Sequence, residues 1–212
     1  MADLKKLFDS IVSGKLEDAV EVTKQVIEEK LDFQLVINDY MIKAMEEIGM
    51  RFQNQKAFVP ELLMAARAMK GSLELLKPEM QNEKSIIVGK IVIGTVLGDL
   101  HDIGKNLVAS MFEGCGFEVI NVGVNVSADR FIEIVKKENP DILCLSALLT
   151  TTMGYMEVII KALEEAGLRD KVKVMVGGAP LNEKFAMSIG ADAYTSNANM
   201  AVIKAKELLN VA

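Results

Sequence analysis

The chain has 212 residues, enough for one large domain or two smaller ones with a buried core. Half of the residues are apolar and a quarter are charged, the balance of a soluble globular protein, and no apolar run reaches membrane-spanning length. A formal charge of −6 without a dense Lys/Arg cluster argues against nucleic acid as the main partner.

The N-terminus, MADLKKLFDS, lacks the long apolar core of a signal peptide. Two cysteines far apart, Cys115 and Cys144, suggest neither a disulfide framework nor a metal knuckle. A cytoplasmic protein is therefore expected, with no membrane and no nucleic acid among its partners.

Residues 1–80 read as helices throughout. A short helix is expected near 3–12, followed by the break at Ser13-Gly14. Leu16, Ala19, Val20, Val22, Val26 and Ile27 then recur at helical spacing, and a second run extends from Phe33 through Tyr40 and Met41 to Ile48. A third run starts at Pro60, well placed as a first helical residue, and continues to Leu76 ahead of Pro78. Four such helices predict a bundle. The thirteen methionines suit flexible core filling better than a sulfur ligand set.

Residues 81–89 form a polar connector, and beyond it the period changes. Strands are expected at 90–96, 117–122, 141–146, 172–176 and 192–195. Helices are expected near 103–115, 128–138, 152–166, 182–189 and 198–210. Strands alternating with helices predict a parallel sheet covered on both faces. The fold class is therefore α/β: an N-terminal four-helix bundle, then a flavodoxin-like (Rossmann-like) five-stranded domain over 90–212. The expected strand order is 2-1-3-4-5, with ligands bound beyond the carboxyl ends of the strands.

The only histidine, His101, sits in Gly98-Asp99-Leu100-His101-Asp102-Ile103-Gly104-Lys105-Asn106, the loop leaving the first strand. An aspartate two residues earlier can accept the Nδ1–H of the ring, fixing its tautomer and leaving Nε2 free, as metal-ligating histidines require. A mononuclear zinc site would need further Cys or His ligands that the sequence cannot supply. A metal held here takes one axial ligand from the protein, and a macrocycle is the obvious source of the others. The first loop lacks both the Gly-Lys-Ser/Thr end of a P-loop and the GxGxxG of dinucleotide folds. The third strand ends in the small, hydroxyl-rich LSALLTTTMG, and the fourth in VGGAP, where two glycines permit close approach of a ligand.

Asp99-x-His101-x-x-Gly104 is followed by Ser146-x-Leu148 after residues 105–145, 41 in all, and by Gly177-Gly178 after residues 149–176, 28 in all. This pattern closely resembles the cobalamin-binding fingerprint of corrinoid proteins of methyltransferase systems in methanogens and acetogens, and is similar to that of the cobalamin-binding module of methionine synthase. The helical half resembles the cap domain of the same proteins.

The resemblance implies a cobalamin bound base-off/His-on, with His101 as the lower axial ligand of cobalt and Asp99 holding the imidazole. Thr152 stands where relatives carry serine in a proton relay, and threonine can make the same hydrogen bond. Ser146 matches the residue that touches the buried nucleotide tail, and Gly177 and Gly178 the glycines that leave room for it. Gly104, Leu148 and Thr150 belong to the same cofactor-binding set. Within Met50–Lys70, Phe52, Val59 and Leu62 match positions that cover the upper face of the corrin; the same residues can also serve as bundle core.

The implied function is carriage of a methyl group on cobalt between a substrate:corrinoid methyltransferase and a methylcorrinoid:acceptor methyltransferase whose acceptor is a thiol or a tetrahydropterin. A reductive activation protein is a further implied partner, and no turnover is expected without partner enzymes. The cap must uncover the corrin for each of them, with the connector as hinge. Other readings are a cobalamin-dependent sensor that controls DNA, a radical mutase subunit, and a flavodoxin-like protein that binds no corrin.

Overall fold

The computed structural model describes residues 1–80 and 88–211. Most of the connector expected at 81–89, with the hinge assigned to it, lies outside the described residues. The chain falls into two compact units, Met1–Val88 with Ser110–Gly116, and Gly89–Ala109 with Phe117–Ala212.

The first unit is helical. α1 (Leu4–Val12) begins at Asp3, whose carboxylate accepts from Lys6 N, and α2 (Leu16–Glu28) follows the Ser13-Gly14 turn. α3 (Phe33–Val36) begins at Asp32, which caps Leu35 N, and continues through a π-helical stretch, Ile37–Ile42, into α4 (Lys43–Gln53). The run expected as one regular helix therefore contains a wider turn, which moves the residues after it around the helix axis. α5 (Val59–Leu76) carries Pro60 in its first turn, where no intrahelical donor is lost. The Glu61 carboxylate reaches back to accept from Phe58 N at 2.7 Å. Leu7, Ile11, Val22, Val26, Met41, Met45, Leu62 and Met69 are fully or almost fully buried, as a bundle core requires.

The second unit is an open parallel sheet with helices between its strands. In chain order it comprises β1 (Lys90–Thr95), α6 (Ile103–Gly114), β2 (Glu118–Asn121), α7 (Ala128–Glu138), β3 (Ile142–Ser146), α8 (Thr150–Met153), α9 (Tyr155–Glu165), β4 (Lys173–Gly177), α10 (Glu183–Ser188), β5 (Ala193–Thr195) and α11 (Ala198–Leu209). The order is β2-β1-β3-β4-β5, as expected, and every pairing is parallel. β1 and β3 are apolar and buried along almost their whole length, which is the pattern of strands covered on both faces. On one face Val92, Leu143, Leu145, Val174 and Val176 pack with Phe131 and Val135 of α7 and Ile159, Ile160 and Leu163 of α9.

Pairing register sets the geometry of the strand ends. Thr95 lies opposite Ser146, Ser146 opposite Gly177, and Gly177 opposite Thr195. Four strands thus end on one row of small residues, and the loops that leave them start side by side. Phe131 is fully buried beneath this row: a Cβ built on Gly94 would lie 2.8 Å from its Cζ. Phe131→Ala should cost about 3–5 kcal/mol in urea unfolding of the protein, since it removes a buried ring from a packed core.

Candidate functional site

The site is built on two neighbouring loops, the one after β1 and the one after β3. Gly98 has φ +81°, a left-handed conformation that suits glycine, and it turns the chain sharply out of β1. The turn drops Asp99 beneath the loop, where it has no exposed surface.

A buried carboxylate must be compensated, and Asp99 is surrounded by donors. Oδ1 accepts from His101 N at 3.0 Å and from His101 Nδ1 at 2.7 Å. Oδ2 accepts from Leu148 N at 2.8 Å, Leu149 N at 3.3 Å and Thr152 Oγ1 at 2.8 Å. Burial alone would raise the carboxyl's pKa. Hydrogen bonds from the His101 and Leu148 amides, the His101 ring and the Thr152 hydroxyl outweigh it and hold the group well below the usual carboxylate range. An ionised carboxylate can only accept, so the His101 Nδ1 facing it carries a proton, and in the neutral ring Nε2 keeps its lone pair. The His101 side chain remains half exposed.

Thr152 has one hydroxyl proton and two acceptors, Asp99 Oδ2 at 2.8 Å and Leu149 O at 3.0 Å. Its methyl group sits toward Gly98, 3.5 Å from where a Cβ on that residue would be. The methyl therefore does not displace the hydroxyl from Asp99. Thr95, at the end of β1, closes the loop from below: its hydroxyl donates to His101 O at 2.9 Å.

Around His101 the same loops expose apolar side chains. Leu100 is 71 % and Ile103 86 % exposed, with Leu97, Leu148 and Leu149 each about two-fifths exposed. A cluster of large apolar residues turned outward around an imidazole is what a broad, flat ligand would cover. At Gly104, in the first turn of α6, an added Cβ would meet nothing within 4 Å among the described residues. Among the described residues no three His, Cys, Asp or Glu side chains gather as a metal site. A donor set of one imidazole with a broad apolar surround fits a metal whose other ligands come from a macrocycle.

The other expected residues divide. Ser146 is half-buried at the end of β3, and Thr150 opens α8, exposed. Gly177 has only an ordinary contact waiting for a Cβ, 3.5 Å from Thr195 O. Gly178 is different: it has φ +139°, and a Cβ there would stand 1.8 Å from Ala147 O. Its lack of a side chain is required by the protein's own loop packing, whatever else it admits. In the first unit Leu62 is wholly buried, Phe52 half-buried and Val59 exposed.

Sequence reasoning missed a polar cluster at the start of α6. Lys105 is 4 % exposed, and its Nζ donates to Asn106 Oδ1 at 2.6 Å and to Asn121 Oδ1 at 2.7 Å. Burial pushes its ammonium pKa down, and the negative charge of Asp102 opposes that. Asn106 Nδ2 donates to Asp102 Oδ2 at 2.9 Å, next to His101. Asn125, also missed, accepts from Gly98 N at 2.8 Å. Lys105 and Asn106 stand in the histidine motif itself, while the asparagines of the next loop gave no signal beyond a Gly-x-Asn turn.

Since the folded Asp99 carboxyl titrates below its unfolded value, it stabilises the fold fully above that value, near pH 4, and the contribution fades as pH falls through it. Asp99→Asn should lose about 2–3 kcal/mol at neutral pH. The gap from wild type in unfolding free energy should narrow on acidification below about pH 4. An equal gap at both pH values would show that the charge of Asp99 is not what these donors stabilise.

Two models described as "B12 binding domain" match the chain, one over residues 89–203 and a second over residues 3–77. The dimethylamine corrinoid protein of Methanosarcina barkeri is 44 % identical over 207 residues, 97 % of either chain. Among solved structures, a cobalamin-binding protein from Desulfitobacterium hafniense DCB-2 superposes with a TM-score of 0.82 at 32 % identity, covering 98 % of this chain and 99 % of that one. The methanol:cobalamin methyltransferase complex of Methanosarcina barkeri matches with a TM-score of 0.85 at 28 % identity, over 99 % of this chain and 80 % of its own. With the fingerprint on three neighbouring strand ends and family models over both halves, the chain belongs to the corrinoid proteins, the cobalamin-binding family of methanogen methyltransferase systems.

Proposed function

We infer that this corrinoid protein carries a methyl group on cobalt, receiving it from a substrate:corrinoid methyltransferase and releasing it to a methylcorrinoid:acceptor methyltransferase. When bound, the corrinoid supplies a cobalt that takes up and gives away a methyl group. A methylated amine is the donor class that best fits, since the whole-length relative at 44 % identity is a dimethylamine corrinoid protein, whereas the methanol complex stands at 28 %. The same names favour a carrier over a cobalamin-dependent sensor. A reductive activation protein completes the proposed set of partners.

The observation that carries this reading is the Asp99–His101 pair, seated at a strand end and surrounded by outward-facing leucines. His101 would bind cobalt from below through Nε2, in the base-off/His-on form, while Asp99 keeps Nδ1 protonated and the ring oriented. Thr152 sits on the far oxygen of the same carboxylate, so when the ring gains or loses a proton the hydroxyl can strengthen its bond to Asp99 or turn its hydrogen to the Leu149 carbonyl, adjusting to the charge beside it. Ser146 and Gly177, in register on β3 and β4, would line the path of the nucleotide tail; nothing in the protein's own packing asks for a glycine at 177. Gly104 would leave the edge of the macrocycle clear of the first turn of α6. Leu148 would contribute both its backbone amide to Asp99 and its side chain to the apolar surround, and Thr150 opens the short helix that positions Thr152. Phe52, Val59 and Leu62 would be the helical unit's contribution to covering the corrin. Leu62 would then have to leave its buried position, so of the three it fits that role least well.

Protein loaded with cobalamin should show a His-on absorption spectrum that His101→Ala lacks, with both proteins retaining cofactor. Equal spectra would remove His101 as the ligand. Reduced, loaded protein should become methylated only when a partner methyltransferase and a methylated amine are supplied together. Methylation by the amine alone would count against a carrier that depends on its partners.

A further inference from the structure

The loop that bears His101 is gripped from outside by the segment that follows β2. Thr95 N donates to Gly123 O, and Val126 N donates to Thr95 O, both at 3.0 Å, which ties this segment along the end of β1. From the end of β2 and from this segment, two asparagines reach the two flanks of the histidine.

On the upstream flank is Asn125, itself in the left-handed conformation with φ +54°. Its Oδ1 accepts from Gly98 N at 2.8 Å and its backbone N donates to Asp99 O at 3.0 Å. It therefore holds both residues of the turn that lowers Asp99 into place. On the downstream flank is Asn121. Its Oδ1 accepts from Lys105 Nζ at 2.7 Å and from Gly123 N at 3.1 Å, and its Nδ2 donates to Asn106 Oδ1 at 3.0 Å. Asn106 in turn donates to Asp102, the residue after His101.

We propose that Asn121 and Asn125 are positioning residues for the lower axial ligand: together they fix the height and tilt of the His101 loop, so that Nε2 meets the metal without the loop having to be ordered at the moment of coordination. This rests on the reading of His101 as the cobalt ligand. Asp99 orients the ring relative to its own backbone, since both of its Oδ1 contacts are with His101 itself. It cannot by that means set where the loop stands relative to the sheet. The asparagines do so from β2, the neighbour of β1 on the side away from β3. The loop is thereby held from both sides, by β3's loop through Asp99 and by β2's segment through the two amides. Both residues are exposed and outside the apolar core; removing Asn121 takes one acceptor from the buried Lys105, which keeps Asn106 Oδ1. Preorganisation of this kind alters ligation more than folding.

The test uses Asn125→Gly, which removes the bond to Gly98 N while glycine accepts the left-handed backbone without strain. Asn121→Ala and His101→Ala accompany it, and Asn125→Asp retains an acceptor for Gly98 N. In the full-length apo protein, amide hydrogen exchange at Gly98 and His101 should accelerate at least about fivefold in Asn125→Gly, the loss of one hydrogen bond, and return to the wild-type rate in Asn125→Asp. With hydroxocobalamin bound at neutral pH, the ratio of His-on to His-off absorption should fall about fivefold in Asn125→Gly and in Asn121→Ala, with circular dichroism unchanged, and stay at the wild-type value in Asn125→Asp. If His101→Ala loses the His-on signature while Asn125→Gly and Asn121→Ala keep the wild-type ratio, the positioning role is overturned and the ligand assignment stands. If His101→Ala itself looks like wild type, the underlying assignment has failed instead.

Discussion

A carboxylate with no exposed surface can remain ionised only if its lone pairs are taken by donors, and at Asp99 those donors come from two different loops. Two belong to His101 and three to the Leu148–Thr152 turn. One side chain thus couples a residue at the end of β1 to a turn about fifty positions later, and the coupling exists because Thr95 and Ser146 lie opposite each other in the sheet. The register of a parallel pair, fixed by apolar burial along β1 and β3, is what brings the two loops within hydrogen-bond reach. Loss of any one donor would leave part of the charge uncompensated, so the site is held together as a set.

The apolar surround of His101 follows a different logic. Leu97, Leu100, Ile103, Leu148 and Leu149 face outward where a loop would normally carry polar side chains. Burying them inward would bring the loops closer together at the expense of a landing surface. At Leu148 and Leu149 the exposure goes with the site: their backbone amides are turned in to Asp99 while their side chains stay about two-fifths exposed. Electrostatics at the carboxylate and apolar display at the surface are two consequences of one turn geometry.

Much of this was legible in the sequence, and the reason is the strength of the period. The runs at 90–96 and 141–146 have near-continuous apolar character, the pattern of doubly covered strands, and the alternation with helices then leaves few topologies. The Asp-x-His spacing was legible because two residues are the span over which a turn can fold a carboxylate back on an imidazole. The π-helical stretch at Ile37–Ile42 was not, because an inserted residue in a helix leaves the apolar spacing nearly regular. Gly178 read as room for a ligand, and the structure gives the Ala147 carbonyl as a sufficient cause. The Lys105–Asn121 contact joins residues on separate elements through neutral amides, for which sequence carries no charge pattern to follow.

Thr152 shows how small a change the constellation accommodates. Serine would supply the same hydroxyl with freer rotation about χ1, whereas a β-branched residue has fewer rotamers available. In this chain the added methyl lies toward Gly98, at ordinary contact distance from where a Cβ on that residue would stand. The methyl therefore restricts Oγ1 to the side where Asp99 Oδ2 and Leu149 O both lie within 3.0 Å. With one proton and two acceptors, the hydroxyl can exchange partners by rotating its hydrogen alone. No heavy atom has to move, and the carboxylate retains its other four donors while the proton is elsewhere.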